Sequence, residues 1–344
     1  MGGITRASKA SRDRLSDRIA IGMLIKAFPP EEVDAAIDAA GVREQRSRAL
    51  PARTMVYFSL AMWLFGSAGY DSVLTRLTTG MRWAGVSTGK RAEPSTGSIT
   101  KARKRLGSEV MRRLFLRRAV EAVDAPPRWR GLRVCTLDGG VMDVPDTVAN
   151  LAAFTEAEVR MVALAAPGDG ALIDVAVGTG DDELDAELIG AVSTDTLVVA
   201  HRASLGHRQW RAATEQGVHL LWRPSESVDL PRLRLLADGS YVSRLLPECD
   251  PMSRSVTVRV VRSGETVLIT TLLDPERAPA AELVALHEGR WRFESVFDAL
   301  DAGPVALRSQ DPHGVRQELW AMLCVYQAVQ AWRWDGKEAL AGRI

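Results

Sequence analysis

With 344 residues, 46% of them hydrophobic, the chain is longer than one ordinary domain and apolar enough to bury a sizeable core. Its longest apolar run, Met55 to Phe65, falls far short of the roughly 20 residues a membrane span needs, and the opening MGGITRASKASRDR leads into no signal-peptide pattern, so a cytoplasmic protein without a membrane partner is expected. The net charge of +1 conceals an asymmetry: residues 1–133 carry 25 Lys+Arg against 12 Asp+Glu, leaving 19 against 31 for the remainder.

A basic first third can neutralise phosphates, whereas an acidic remainder repels them except where a metal ion or a local arginine intervenes. Charge that merely keeps both parts soluble is the plainer alternative. In chain order, apolar residues recur at helical spacing up to about residue 125. Ser16 can cap a first helix that Pro29 and Pro30 stop, and a second follows from Glu31 to Gly41. Met55 to Leu64 is apolar all round and reads as a buried helix. In PSTGSITKARKRLGSEVMRRLFLRR, Ser98 can cap a helix bearing Lys101, Arg103, Lys104 and Arg105, with Gly107 and Ser108 turning into the next. That basic helix is either a duplex-binding element or a solvated charged face.

PPRW, from Pro126 to Trp129, marks a boundary at which the periodicity changes. Arg133 to Asp138 reads as a strand, Gly139-Gly140 as a turn into VMDV, and VRMVALA and ALIDVAV as two more strands. A helix from Glu183 to Val192 precedes the strand Thr196 to Ala200, which makes the pattern α/β. Between Gly217 and Leu273 four strand-like runs suggest a β-rich segment before helices resume near Pro279. Cys135, Cys249 and Cys324 show no CxxC spacing and read as core residues, as do Trp210, Trp222, Trp291 and Trp320.

The candidate chemistry lies at strand ends. Asp138 closes the first strand, His201 follows the strand TLVVA, and His287, Arg290, Glu294 and Asp301 are spaced to share one face of a long helix. Two strand-end ligands and a helix-borne carboxylate suit a two-metal phosphoryl-transfer site, because Mg²⁺ takes hard oxygen ligands. Spacing alone leaves open that these are ordinary strand-end polar groups.

Several motifs, in order, resemble a known family. LSDRIAIGMLIKAFPPEEVD, REQRSRALPARTMVYFSLAMWLF, GYDSVLTRLTTGMRW and ITKARKRLG resemble the N-terminal region of the insertion element 4 family of bacterial transposases. LDGGVMDVPDTVAN resembles the stretch around that family's first catalytic aspartate, and RWRFESVFDAL with ALRSQDPHGVRQELWAML the stretch around its catalytic glutamate. The resemblance implies a DDE-type transposase with an RNase H-like core, Mg²⁺ or Mn²⁺ dependence and binding to double-stranded DNA at terminal inverted repeats. Asp138 matches the first aspartate, Glu294 the glutamate and Arg290 the arginine four positions before it.

Departures from the pattern are specific. The family's second aspartate sits in an alanine, aspartate, arginine, glycine, phenylalanine run, which here reads AHRAS and puts His201 in the aspartate's place. His287 stands at the usual tyrosine and Asp301 at the usual lysine, and the chain ends soon after AMLCVYQAVQAWRW, where members continue for several helices. An imidazole offers one nitrogen and no charge, so it is a poor bridging ligand for two Mg²⁺ ions. A degenerate copy with impaired strand cleavage and transfer is the leading expectation. One histidine and two carboxylates also suit a single Mn²⁺, Zn²⁺ or Fe²⁺, and a non-catalytic DNA-binding regulator or inhibitor is the alternative.

The expected organisation is a helical DNA-binding region (1–125), a first part of an RNase H-like mixed-sheet core (130–216), a β-rich insertion (217–275) and C-terminal core helices (276–344). Asp138 and Glu294 are the expected metal ligands and His201 the third catalytic position, with Arg290, His287, Arg103, Lys104 and Arg105 as substrate contacts. A nucleoid-associated homodimer on paired DNA ends completes the expectation.

Overall fold

A computed structural model describes residues 15–341 apart from 47, 87–93, 123–127, 169, 180, 201–205, 226–227, 247–254, 291, 293 and 301–306. The chain divides into two compact units, Met1–Phe115 with His313–Ala328, and Leu116–Pro312 with Val329–Ile344. Among the described residues no helix is long and apolar enough to cross a membrane.

The first unit is helical: α1 (Leu15–Ala27), α2 (Pro30–Ala39), α3 (Ala52–Leu64), α4 (Tyr70–Trp83), α5 (Thr96–Leu106) and α6 (Glu109–Ala122), whose last turns belong to the second unit. Pro30 starts α2 at a position where a missing N–H costs nothing. Ser16 lies inside α1 instead of capping it, and α5 is capped by Ser95, whose side chain accepts from the Ser98 N–H. Gly107, at φ 71°, provides the left-handed residue that ends α5 after one residue of linker space. α3 is buried on nearly every side, as a helix apolar all round must be.

Segment His313–Ala328 of the long helix α12 (Pro312–Ala341) belongs to this helical unit, a division that differs from a helical region ending near residue 125. Of the cations that the sequence places on a DNA-facing helix, Arg103 is a correction. It is 6% exposed, donates from Nε to Gln317 Oε1 (2.9 Å) and from Nη1 to the Tyr70 hydroxyl (2.6 Å), and lies 3.2 Å from the Glu318 carboxylate. Gln317 returns donors to the Arg103 and Gly107 carbonyls, and the Trp63 indole donates to the Glu318 carbonyl. Arg105 is partly engaged by the Leu50 carbonyl at 2.9 Å, with Glu44 at 3.7 Å, and it is exposed together with Lys101 and Lys104 on α5.

The second unit is built on a ten-stranded mixed sheet: β1 (Arg128–Trp129), β2 (Leu132–Asp143), β3 (Glu158–Ala165), β4 (Leu172–Gly178), β5 (Thr196–Ala200), β6 (His219–Trp222), β7 (Arg234–Leu235), β8 (Tyr241–Leu245), β9 (Val256–Ser263) and β10 (Thr266–Thr270). Strand order is β4-β3-β2-β5-β6-β10-β9-β8-β7, with β1 hairpinned onto β2. β2 pairs antiparallel with β3 but parallel with β5, and β5 runs parallel to β6. The β-rich segment therefore continues the same sheet through β6–β10 pairing.

Helices α7 (Val148–Ala153), α8 (Asp181–Ala191), α9 (His207–Glu215), α10 (Ala280–Glu288) and α11 (Ser295–Ala299) complete the unit. One sheet face packs Cys135, Leu164, Val198, Val258 and the edge-on pair Trp210 and Trp222 into the larger core, and the other packs Val134, Val199 and Leu268 against Leu283 of α10. Burial pushes the Cys135 thiol up to about 11, so it is an inert core residue. Arg259 is fully buried, yet its donors reach Ser240 Oγ (2.7 Å), the Ala278 carbonyl (2.6 Å) and Asp238, so its charge is matched.

Two predictions follow from these ion pairs. Arg103→Met removes the guanidinium from the buried Glu318 carboxylate and from Gln317 and is expected to lower unfolding free energy by about 3 kcal/mol in urea denaturation, whereas Lys101→Ala costs less than about 0.5 kcal/mol. On the surface, Arg130 and the Trp129 indole hydrogen-bond to Glu282 and hold its carboxyl down at about 2. A depressed carboxyl stabilises the fold above its ordinary value of 4.5 and ceases to do so as pH falls through about 2. The melting-temperature gap between wild type and Glu282→Gln should therefore be full near pH 6 and close as pH falls between those two values.

Candidate active site

Asp138 lies within β2, and Gly139-Gly140 is not a turn: the strand runs through to Asp143 and stays paired with β3 at Asp138↔Ala163, Gly139↔Val162 and Gly140↔Met161. A Cβ at Gly139 would meet the Met161 carbonyl at 2.6 Å, so glycine there allows close strand approach. Among the described residues the last parallel pair with β5 is Leu137↔Ala200, so Asp138 follows directly on the doubly paired part of β2, at the C-terminal end of the parallel strands. It is 8% exposed, and its Oδ1 accepts from the Gly139 N–H at 2.9 Å. His201, the next residue after β5, lies outside the described residues, as does Asp301.

The long helix expected to carry His287, Arg290 and Glu294 is interrupted. α10 ends at Glu288, where the Gly289 N–H still reaches the Ala285 carbonyl, and Arg290, Arg292 and Glu294 are not helical before α11 begins at Ser295. Arg290 closes that helix end by donating from Nη1 to the His287 carbonyl at 2.6 Å, with His287 Nδ1 at 3.5 Å. His287 is 4% exposed, which suits a support for Arg290 better than a contact to substrate. Glu294 is exposed, 3.7 Å from Arg292.

Arg290 reports what surrounds it. Burial lowers its pKa below the ordinary guanidinium value, Asp138 raises it, Arg292 and Arg223 lower it, and Glu294 raises it. Asp138 and Glu294, from distant parts of the sequence, therefore act on one guanidinium. Its Nε is buried without a hydrogen-bond partner among the described residues. Arg223 is a residue the sequence reading passed over. It follows β6 directly and is exposed, so the strand-end rule that picked out Asp138 and His201 applies to it as well.

Among the described residues no group of three His, Cys, Asp or Glu side chains is poised around one point. The carboxylates of Asp138 and Glu294 are hard oxygen donors of the kind Mg²⁺ and Mn²⁺ take.

Comparison with known proteins bears on this site. The family described as insertion element 4 transposase N-terminal matches residues 18–116. The transposase InsG for insertion sequence element IS4 of Escherichia coli (strain K12) is 28% identical over 334 residues, covering 88% of this chain and 74% of the relative. The chain is thus similar to insertion element 4 transposases, over residues 18–116 by the family match and over most of its length by this relative. Among solved structures, a piggyBac transposase synaptic complex with hairpin DNA aligns over 95% of this chain and 77% of its own at a TM-score of 0.42 and 7% identity, too distant to argue from.

The strand constraint at Gly139 is testable by itself. Gly139→Ala is expected to destabilise the second unit by about 2 kcal/mol or more, read as a lowered midpoint in urea, because β3 backbone has to shift. Gly190→Ala in α8, where an added Cβ meets nothing within 4 Å, serves as the comparison.

Proposed function

We propose that this insertion element protein binds duplex DNA at terminal inverted repeats, and that its core is an RNase H-like DDE site, ancestrally a metal-dependent DNA strand transferase, impaired by His201. The observation that carries this reading is the shared action of Asp138 and Glu294 on Arg290, whose buried Nε has no hydrogen-bond partner among the described residues. A cation-rich rim of Arg290, Arg223 and Arg292 beside two carboxylates is an arrangement that receives a phosphate and a divalent cation together. The order of the first five core strands, three antiparallel followed by two parallel to β2, is consistent with an RNase H-like sheet.

When bound, Mg²⁺ or Mn²⁺ supplies a Lewis acid that activates a water or 3′-hydroxyl. Asp138 and Glu294 would hold that ion. Arg290, braced by the His287 carbonyl, would orient a phosphate oxygen, and Arg223 would add a second positive charge at the end of β6. His201, in place of an acid, removes one negative charge from the ligand set, so two closely spaced divalent ions are poorly compensated. The basic first third favours a second reading, in which a non-catalytic protein holds DNA as a regulator or inhibitor.

Calorimetric titration separates the outcomes. Wild type is expected to bind Mn²⁺ weakly, Asp138→Ala to lose that binding, and His201→Asp to gain Mg²⁺ affinity by about tenfold or more, together with strand cleavage of an inverted-repeat duplex. Identical metal binding in all three proteins would sink the site assignment. Duplex binding without cleavage, even in His201→Asp, would favour the regulator.

A further inference from the structure

The far edge of the sheet carries four arginines that the site above does not use. β7 is the edge strand, and its register pairs Arg234 with Val242 of β8, which in turn faces Arg259 of β9. Arg244 is two residues along from Val242, so alternation puts Arg234 and Arg244 on the same sheet face. On the opposite face, the Arg232 guanidinium lies 5.1 Å from the Tyr241 ring centre and Arg262 Nη2 is 3.5 Å from the Tyr241 hydroxyl.

All four are exposed. None forms an ion pair among the described residues, whereas exposed arginines elsewhere, such as Arg113, Arg128 and Arg130, are matched to carboxylates. Asp238, a described acid of this edge, is held by the buried Arg259 and by Ser240. From residue 134 onward acids exceed bases by about 12, so a solubilising surface in this part of the chain would be acidic. Unmatched guanidinium groups concentrated at one edge need another reason, and planar guanidinium is suited to phosphate oxygens.

We propose that the β7–β8 edge, through Arg234 and Arg244 on one face and Arg232 and Arg262 on the other, is a second DNA surface that grips the sugar-phosphate backbone without reading sequence. It rests on the reading that the chain binds duplex DNA. Its contribution is electrostatic, so it acts through counterion release and vanishes at high salt.

The test is the salt dependence of duplex binding by the full chain, read as fluorescence anisotropy of a labelled duplex. Arg234→Gln with Arg244→Gln is the informative variant, because neither side chain forms a hydrogen bond or ion pair among the described residues and the thermal midpoint should not move. Its plot of log affinity against log salt should be shallower by about 2, at about 0.9 per phosphate contact released. Lys101→Gln with Lys104→Gln, in the helical unit, gives the reference for an independent surface, and combining both pairs should add their effects. An unchanged slope in the Arg234 and Arg244 variant, while wild type binds with a steep slope, overturns this surface and leaves the proposed function standing. Absence of salt-dependent binding in wild type overturns both. Unchanged duplex binding with lost binding to phosphatidylserine vesicles would reassign the edge to a membrane surface and overturn the DNA proposal.

Discussion

Everything at the candidate site depends on one strand having two neighbours of opposite direction. β2 is held along its antiparallel side as far as Asp143, and among the described residues its parallel side pairs from Arg133 to Leu137. Asp138 follows directly on that doubly paired stretch, is nearly buried, and has its backbone fixed opposite Ala163 of β3. Gly139 permits this by letting the Met161 carbonyl come close. Rigid placement on a paired strand keeps a ligand within the small tolerance that metal or phosphate binding requires.

Much of this was legible in the sequence, for identifiable reasons. Long apolar periodicities around α3 and short apolar runs such as Thr196–Ala200 report burial directly, because both depend on residues close together in the chain. Gly139-Gly140 misled because glycine pairs mark turns and close strand approaches alike, and only the identity of the neighbouring strand distinguishes the two. The 287–301 segment has the spacing of one helical face, yet the helix stops at Glu288, with Arg290 turned back onto its last carbonyls. Arg223 was missed because an arginine after an apolar run is common, and its relation to Arg290 exists only in three dimensions.

The arginines show why charge counting has limited reach. Arg103 and Arg259 are structural: each is buried, each is matched to a carboxylate, and each adds to the sequence charge without adding to the surface field. Other arginines, at the β7–β8 edge and at Arg105, remain outside, as do Lys101 and Lys104. A run such as KARKR therefore contains residues with opposite duties, and its helical phase decides which one faces solvent.

The pairing of Arg103 with Gln317 and Glu318 spans more than two hundred residues. Helices α1 to α5 emerge from the ribosome long before the segment that neutralises the buried guanidinium between them. Until then the helical unit contains a polar vacancy in its interior, and it should remain loosely packed and exposed to proteases or chaperones while the sheet is being made. A fragment ending before residue 313 would carry that unfinished interior permanently. Completion of the first part of the protein is thus a late event in its own synthesis, timed by the arrival of α12.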